Sequence, residues 1–234
     1  MKYKIADLIV EMEPDEKTRI QAEKYLTDQN AKVDIYAVAQ SRKEYEERKY
    51  NGSFESFRYI TLGSSFYRHL LDFGGCMLHS SAVVVDGKAY LFSAPCGTGK
   101  STHTQFYLEL FGSDRAFIIN DDKPAIKRGE DGKFYVHGTP WSGKDDLSAD
   151  TSALLQGICF LQRDKENWIR RIDPQDAFIR MYHQCIRNLD KEYMVKQLNL
   201  FEEITKKVPI FEMGCNPTVD AAKVSFGEMS KAEI

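Results

Sequence analysis

Apolar and polar positions along the chain separate into short runs with different periods. Residues 3–12 (YKIADLIVEM) and 32–39 (AKVDIYAV) have the apolar, β-branched character of strands. Between them, residues 15–26 (DEKTRIQAEKYL) set Ile20 and Leu26 among charges, the pattern of a surface helix. Residues 41–50 (SRKEYEERKY) read as a charged helix or loop with a solvated face. After Gly52, residues 58–63 (RYITLG) predict a short strand. Residues 64–75 (SSFYRHLLDFGG) predict an apolar helix stopped by Gly74 and Gly75.

From residue 78 the pattern becomes more regular. Residues 78–95 (LHSSAVVVDGKAYLFSAP) predict two strands joined at Asp86-Gly87, since both turn residues tolerate positive φ. A Gly-containing loop at 94–99 leads into a helix over 100–112. A strand over 115–120 (RAFIIN) runs straight into Asp121 and Asp122. Residues 124–137 predict a hairpin around Glu130-Asp131-Gly132, and 157–163 and 167–172 a further strand pair. Helices follow over 173–188, with Pro174 in the first turn, and over 191–208. A last strand covers 209–214, and a final helix begins after Pro217. Strands and helices in this order predict an α/β fold. Residues 1–75 form a small N-terminal α/β region, and residues 76–234 the main domain.

Composition narrows the function. Lys plus Arg is 32 and Asp plus Glu is 35, a formal net charge of −3. This balance argues against nucleic acid or an anionic membrane as the main partner. No apolar run approaches the roughly 18 residues of a membrane helix, and the N-terminus turns acidic too early for a secretory signal. The five cysteines, Cys76, Cys96, Cys159, Cys185 and Cys215, are scattered and form no CxxC pair. That spacing fits reduced thiols in a cytoplasmic protein.

The chemistry concentrates in residues 94–101, Ala94-Pro95-Cys96-Gly97-Thr98-Gly99-Lys100-Ser101, a relaxed form of the phosphate-binding loop with Ala at its first position. Gly97 and Gly99 let main-chain N–H groups converge on phosphate oxygens. The helix starting near Lys100 directs its positive end at the same anion. Lys100 neutralises the outer phosphates, and the hydroxyl of Ser101, followed by Thr102, suits Mg²⁺. Cys96 is either a thiol activated at a helix N-terminus or a small residue tolerated in the loop.

The acids Asp121 and Asp122 end the next apolar strand, where a phosphoryl-transfer site needs a metal-handling acid and a proton acceptor. His79 precedes the hairpin that feeds the loop. Residues 137–144 (HGTPWSGK) form a second Gly-containing stretch without strand–loop–helix context, and Arg170 and Arg171 are either phosphoryl clamps or strand-edge charges.

Together His79, the loop 93–102 (SAPCGTGKST), 119–124 (INDDKP) and 136–144 (VHGTPWSGK) resemble the catalytic domain of HPr serine kinase/phosphorylase. They are similar, more closely, to small bacterial HPr-kinase-related proteins with the phosphoenolpyruvate carboxykinase-like nucleotide-binding fold. The resemblance covers about residues 76–222 and includes VPIFEMGCNPTVDAA near the C-terminus. It implies a P-loop core of mixed β-sheet with flanking helices, with ATP, or GTP, and Mg²⁺ as cofactors. By position it implies Asp121 as base toward an acceptor serine, Asp122 and Ser101 at the metal, Lys100 on phosphate, and a site role for His79. The chain departs from the family before Gly138, where Tyr135-Val136-His137 stand in place of an acidic residue. Residues 1–75 do not resemble the family's N-terminal domain, and their position suits acceptor recognition.

The leading expectation is an ATP- and Mg²⁺-dependent kinase acting on a serine-type hydroxyl of a protein or peptide. A small-molecule kinase on the same core is the alternative, and a nucleotide-binding sensor or assembly protein with little turnover is the third reading. The resemblance leaves room for a homo-oligomer.

Overall fold

The structure is a computed structural model and describes residues 1–233. The N-terminal run does not form one strand. β1 (Lys2–Ile5) and β2 (Leu8–Met12) fold back on each other as an antiparallel hairpin. Ala6 and Asp7, both at positive φ, make its turn. α1 (Glu16–Ala22) starts at Asp15, whose carboxylate accepts the Thr18 N–H, and runs into one 3-10 turn over Glu23–Tyr25. β3 (Ile35–Ala37) adds parallel to β2 and is shorter than the run over 32–39 suggested. α2 (Arg42–Glu47) carries a capping box between Ser41 and Glu44.

The strand expected over 58–63 is instead the middle of α3 (Phe54–Leu70). Ser53 caps that helix, and Phe57, Leu62, Phe66 and Leu70 recur at helical spacing on its buried side. Tertiary burial of this stripe overrides the local β-branched run at Ile60 and Thr61. The helix continues as a 3-10 turn to Gly74.

The remaining strands build one nine-stranded mixed sheet. They are β4 (Gly75–Met77), β5 (Ser80–Val85), β6 (Lys88–Ser93), β7 (Ala116–Asn120), β8 (Ala125–Arg128), β9 (Phe134–His137), β10 (Ser152–Arg163), β11 (Trp168–Arg171) and β12 (Ile210–Cys215). The order is β4-β8-β9-β10-β6-β5-β7, with β12 paired to β10; β11 pairs with β12 and not, as expected, with β10, because β12 lies between them. β10 begins earlier than residue 157 because its first residues pair with β9. It then continues between β6 and β12, parallel to both. The hairpins at Asp86-Gly87 and around Gly132 stand where the turn residues placed them.

Alternate side chains of the central strands bury on opposite faces, which is why these strands read as unbroken apolar runs. Ala82, Val84 and Leu91 face α5 (Pro174–His183) and α6 (Lys191–Lys207). Val83, Val85, Tyr90 and Phe92 face α4 (Lys100–Phe111) and α7 (Val219–Met229). α5 ends at His183, five residues earlier than expected, because Gln184 leaves the helix and its carbonyl accepts the His79 N–H at 2.8 Å. A third cluster joins the small N-terminal sheet and α3 to Ala125 and Trp141 of the main sheet region. All five cysteines are free thiols, and Cys96 is exposed. No helix among the described residues is long and apolar enough to cross a membrane.

Candidate active site

Three strand ends meet at one edge of the sheet. β5 and β6 pair Ser80 with Ser93, so the start of β5 lies beside the end of β6. β5 and β7 pair Ala82 with Asn120, which brings the end of β7 to the same place. Antiparallel register therefore gathers His79 to Ser81, Ala94 and the residues after it, and Asp121 with Asp122.

The loop between β6 and α4 is exposed at Pro95, Cys96 and Gly97. Gly97 and Gly99 hold φ of 78° and 116°, a region closed to most side chains, and open space surrounds both positions. These glycines thus serve main-chain conformation rather than close packing. Gly99 is the N-cap of α4 and offers no side-chain acceptor to the first-turn N–H groups. α1, α2, α3, α5 and α6 each have a Ser or Asp there that accepts such a hydrogen bond. An uncapped helix start presents its N–H groups and partial positive charge outward. Lys100 is buried, and its Nζ donates to the Ala94 carbonyl at 3.0 Å. Burial pulls its pKa below the ordinary lysine value, while Asp122, Cys96 and Asp121 work in the other direction.

Asp121 and Asp122 have different environments. Ser81 donates to Asp121 Oδ1 at 2.5 Å, and Ser81 itself shares a hydrogen bond with Thr104 of α4 at 2.7 Å. Burial raises the Asp121 pKa, partly offset by hydrogen bonds from Ser81 and Ser101. Burial would also raise Asp122, but His79 and Lys123 outweigh it and hold Asp122 at about 2. His79 Nε2 lies 3.2 Å from Asp122 Oδ1, Lys123 pairs with Oδ2, and His79 Nδ1 meets Gln184 Oε1 at 3.2 Å. Two adjacent carboxylates are thereby set apart, one firmly ionised between His79 and Lys123 and one with a higher proton affinity.

Asn120 shapes the turn that carries them. Its Oδ1 accepts the N–H groups of Asp122 (3.0 Å) and Lys123 (2.7 Å), and its Nδ2 donates to the Thr139 carbonyl at 3.0 Å. Thr139 in turn meets the Tyr67 hydroxyl at 2.9 Å and donates to the Lys123 carbonyl at 2.9 Å. The stretch 137–144 therefore frames the acidic turn. A Cβ on Gly143 would stand 3.3 Å from the Asp122 Cβ.

Two cavities, each of about 500 Å³, flank the start of α4. One is lined by Ser101, Thr102, Glu109, Asp121, Asp145 and Leu147, among others. The other takes in Gly97, Thr98, Gly99, His103, Arg163 and Asn216. Arg163 donates to the Gly97 carbonyl at 2.6 Å.

The structure thus brings His79, Lys100, Ser101, Asp121, Asp122 and the loop 94–102 together. Within the group, Ser101 stands by Asp121 rather than by Asp122, whose oxygens face His79 and Lys123. Arg170 does not reach the loop as a clamp. It pairs with Glu212, a nearly buried carboxylate that also takes Arg180, while Arg171 lines a cavity with Phe211 and Glu228. Lys144 is exposed.

Sequence reasoning missed Ser81, Asn120, Thr139, Arg163 and Asp145. Two of these carried a signal. Ser81 is a polar residue inside an apolar strand, and Asn120 stands directly before a turn, where Asn side chains bond main-chain N–H groups two residues on.

The donor set suits Mg²⁺ chemically, since a serine hydroxyl and carboxylates are hard oxygen ligands. Among the described residues, no three or more His, Cys, Asp or Glu are grouped to hold a metal ion. Mg²⁺ carried with a nucleotide needs only one or two protein oxygens beside the phosphates.

No known family model matches the chain. No curated protein matches it either. Among solved structures the chain is similar to the HPr(Ser) kinase/phosphatase from Coxiella burnetii. The TM-score is 0.37 and the identity 9%, over 66% of this chain and 97% of that one. A likeness at this level carries nothing about activity to this chain.

Proposed function

We propose that the protein is an ATP- and Mg²⁺-dependent phosphotransferase acting on a serine-type hydroxyl of a protein or peptide. The observation that carries the reading is the cavity shared by Ser101, at the uncapped start of α4, and Asp121 across from it. A phosphate chain on the loop 94–101 and a hydroxyl in that cavity would meet between these two side chains.

Each residue has a part in this scheme. The first-turn N–H groups of α4 and Lys100 bind the outer phosphates. Lys100 leaves the Ala94 carbonyl for a phosphate oxygen, a stronger, charge-assisted partner. Asp121 accepts the proton of the acceptor hydroxyl. Ser81 donates to its Oδ1 and so fixes the orientation of the carboxylate. Asp122 stays ionised, with His79 and Lys123 fixing its position. Mg²⁺, when bound with the nucleotide, supplies charge neutralisation, and Ser101 with a neighbouring carboxylate would hold it. Arg163 and Asn216, in the second cavity, would face the nucleoside.

The acceptor cavity narrows the substrate. Its lining contains Glu109, Asp121 and Asp145 and, among the described residues, no lysine or arginine. Such a wall favours a hydroxyl flanked by positive groups over one flanked by acids. The test is transfer of labelled γ-phosphate from Mg²⁺–ATP to serine peptides, with matched small hydroxyl compounds alongside. Peptides with Lys or Arg beside the serine are expected to gain label at least about tenfold faster than those with Asp or Glu. Label on small hydroxyl compounds alone would turn the reading to a metabolite kinase. ATP binding without transfer to any acceptor would turn it to a nucleotide sensor.

A further inference from the structure

The outer wall of the acceptor cavity is the loop between β9 and β10, which contributes Asp145 and Leu147. On its inner side this loop is tied to the acidic strand. The Asp121 N–H donates to the Leu147 carbonyl at 3.1 Å, and the Ala149 N–H to the Ile119 carbonyl at 3.1 Å. On its outer side the ties come from the N-terminal region. Gln21 Nε2 of α1 donates to the Ser142 hydroxyl at 3.3 Å and to the Gly143 carbonyl at 3.1 Å. Lys24 donates to the Ser148 carbonyl and hydroxyl, both at 3.1 Å, and lies 3.6 Å from Asp146. Tyr25 donates to the Ala149 carbonyl at 3.4 Å. At the loop's start, the buried Trp141 stacks on Phe66 and donates from its indole to the Tyr59 carbonyl.

Packing alone does not call for these choices. Gln21 is 3% exposed, a place where an apolar side chain would avoid burying an amide. Its amide goes instead to the loop, as do the contacts of Lys24. The loop has almost no regular structure of its own, so its position follows what holds it on both sides.

The geometry points to Gln21 and Lys24 as specificity-determining positioning residues: through them residues 1–75 hold the wall of the acceptor cavity in place, and so set the affinity for the acceptor. This rests on the kinase reading of the same site. Neither residue lines either cavity beside the phosphate loop, so nucleotide binding lies outside their reach.

The test uses the full chain with Lys24→Met, Gln21→Met and the double substitution. Four quantities are read: Kd for Mg²⁺–ATP, KM and kcat for the best peptide acceptor, and hydrogen exchange of the amides of 142–149 against those of 94–104. The double variant is expected to raise acceptor KM about tenfold, since small displacements of a positioning group have large effects. Its Kd for Mg²⁺–ATP should stay within about twofold of wild type, with faster exchange confined to 142–149. Unchanged acceptor KM despite faster exchange would overturn the proposal. So would acceptor KM and nucleotide Kd rising together, because that pattern marks general loosening. Failure of the kinase reading itself looks different: the wild-type chain would not bind Mg²⁺–ATP, or would bind it and transfer phosphate to no acceptor.

Discussion

Asp121→Asn is expected to abolish phosphoryl transfer while leaving Mg²⁺–ATP binding nearly intact. The substitution keeps the shape of the side chain, and the amide oxygen still accepts the Ser81 hydroxyl. What is lost is the proton acceptor. A positioned general base contributes about 10²–10⁴ in rate, so kcat should fall by at least a hundredfold. Nucleotide affinity should change by less than about threefold, because Lys100 and the helix start are untouched. Asp122 cannot substitute, since His79 and Lys123 occupy it and keep its proton affinity low, with a pKa of about 2. Single-turnover transfer and equilibrium ATP binding measured on one preparation separate the two effects. Unchanged transfer would remove Asp121 from the chemistry, and equal loss of both would indicate damage to the fold.

Gly138→Ala should cause the largest loss of stability among single substitutions at the site. A Cβ there would lie 1.9 Å from the Ala149 carbonyl oxygen and 2.8 Å from that of Ile119. Neither oxygen can step aside cheaply, because both belong to main chain in a paired network. Ala149 N–H is bonded to Ile119, and Gly138 N–H to Thr151. Overpacking of this kind against main chain is expected to cost about 3 kcal/mol or more. For a chain of this size that lowers Tm by roughly 6–12 °C. The site should suffer with it, since Thr139 next door anchors Asn120 and hence the acidic turn. Calorimetry of the variant reads the effect. A Tm within about 2 °C of wild type would mean that the loop carrying Ala149 yields more readily than its hydrogen bonds suggest.

Much of this candidate site was legible from residues alone because its residues are local in sequence. The loop 94–101, the helix after it and the acids at 121–122 each sit within one strand–turn unit, and antiparallel pairing of β5 with β6 and β7 does the rest. The α/β class also follows from element order, whereas the mixed sheet with flanking helices is what the resemblance implies. The parts that were not legible depend on long-range burial. Residues 58–63 look like a strand until the stripe Tyr59, Leu62, Phe66 and Leu70 finds Trp141 and the N-terminal sheet. The break at Ala6-Asp7 depends on two non-glycine residues at positive φ, which composition does not announce. The sequence leaves Arg170 open between a phosphoryl clamp and a strand-edge charge, because it does not show that Glu212 is nearly buried beside it. The roles of Gln21 and Lys24 were hidden for the same reason, since their partners lie more than a hundred residues away.

The central claim is a nucleotide phosphate site at the start of α4. It is tested most directly by thermal unfolding with and without Mg²⁺–ATP, for wild type and Lys100→Ala side by side. At about a hundred times the dissociation constant, bound nucleotide should add roughly 2.7 kcal/mol, a readily measured rise in Tm. The account predicts that rise in wild type and its loss in Lys100→Ala. No rise in wild type with either ATP or GTP would contradict it.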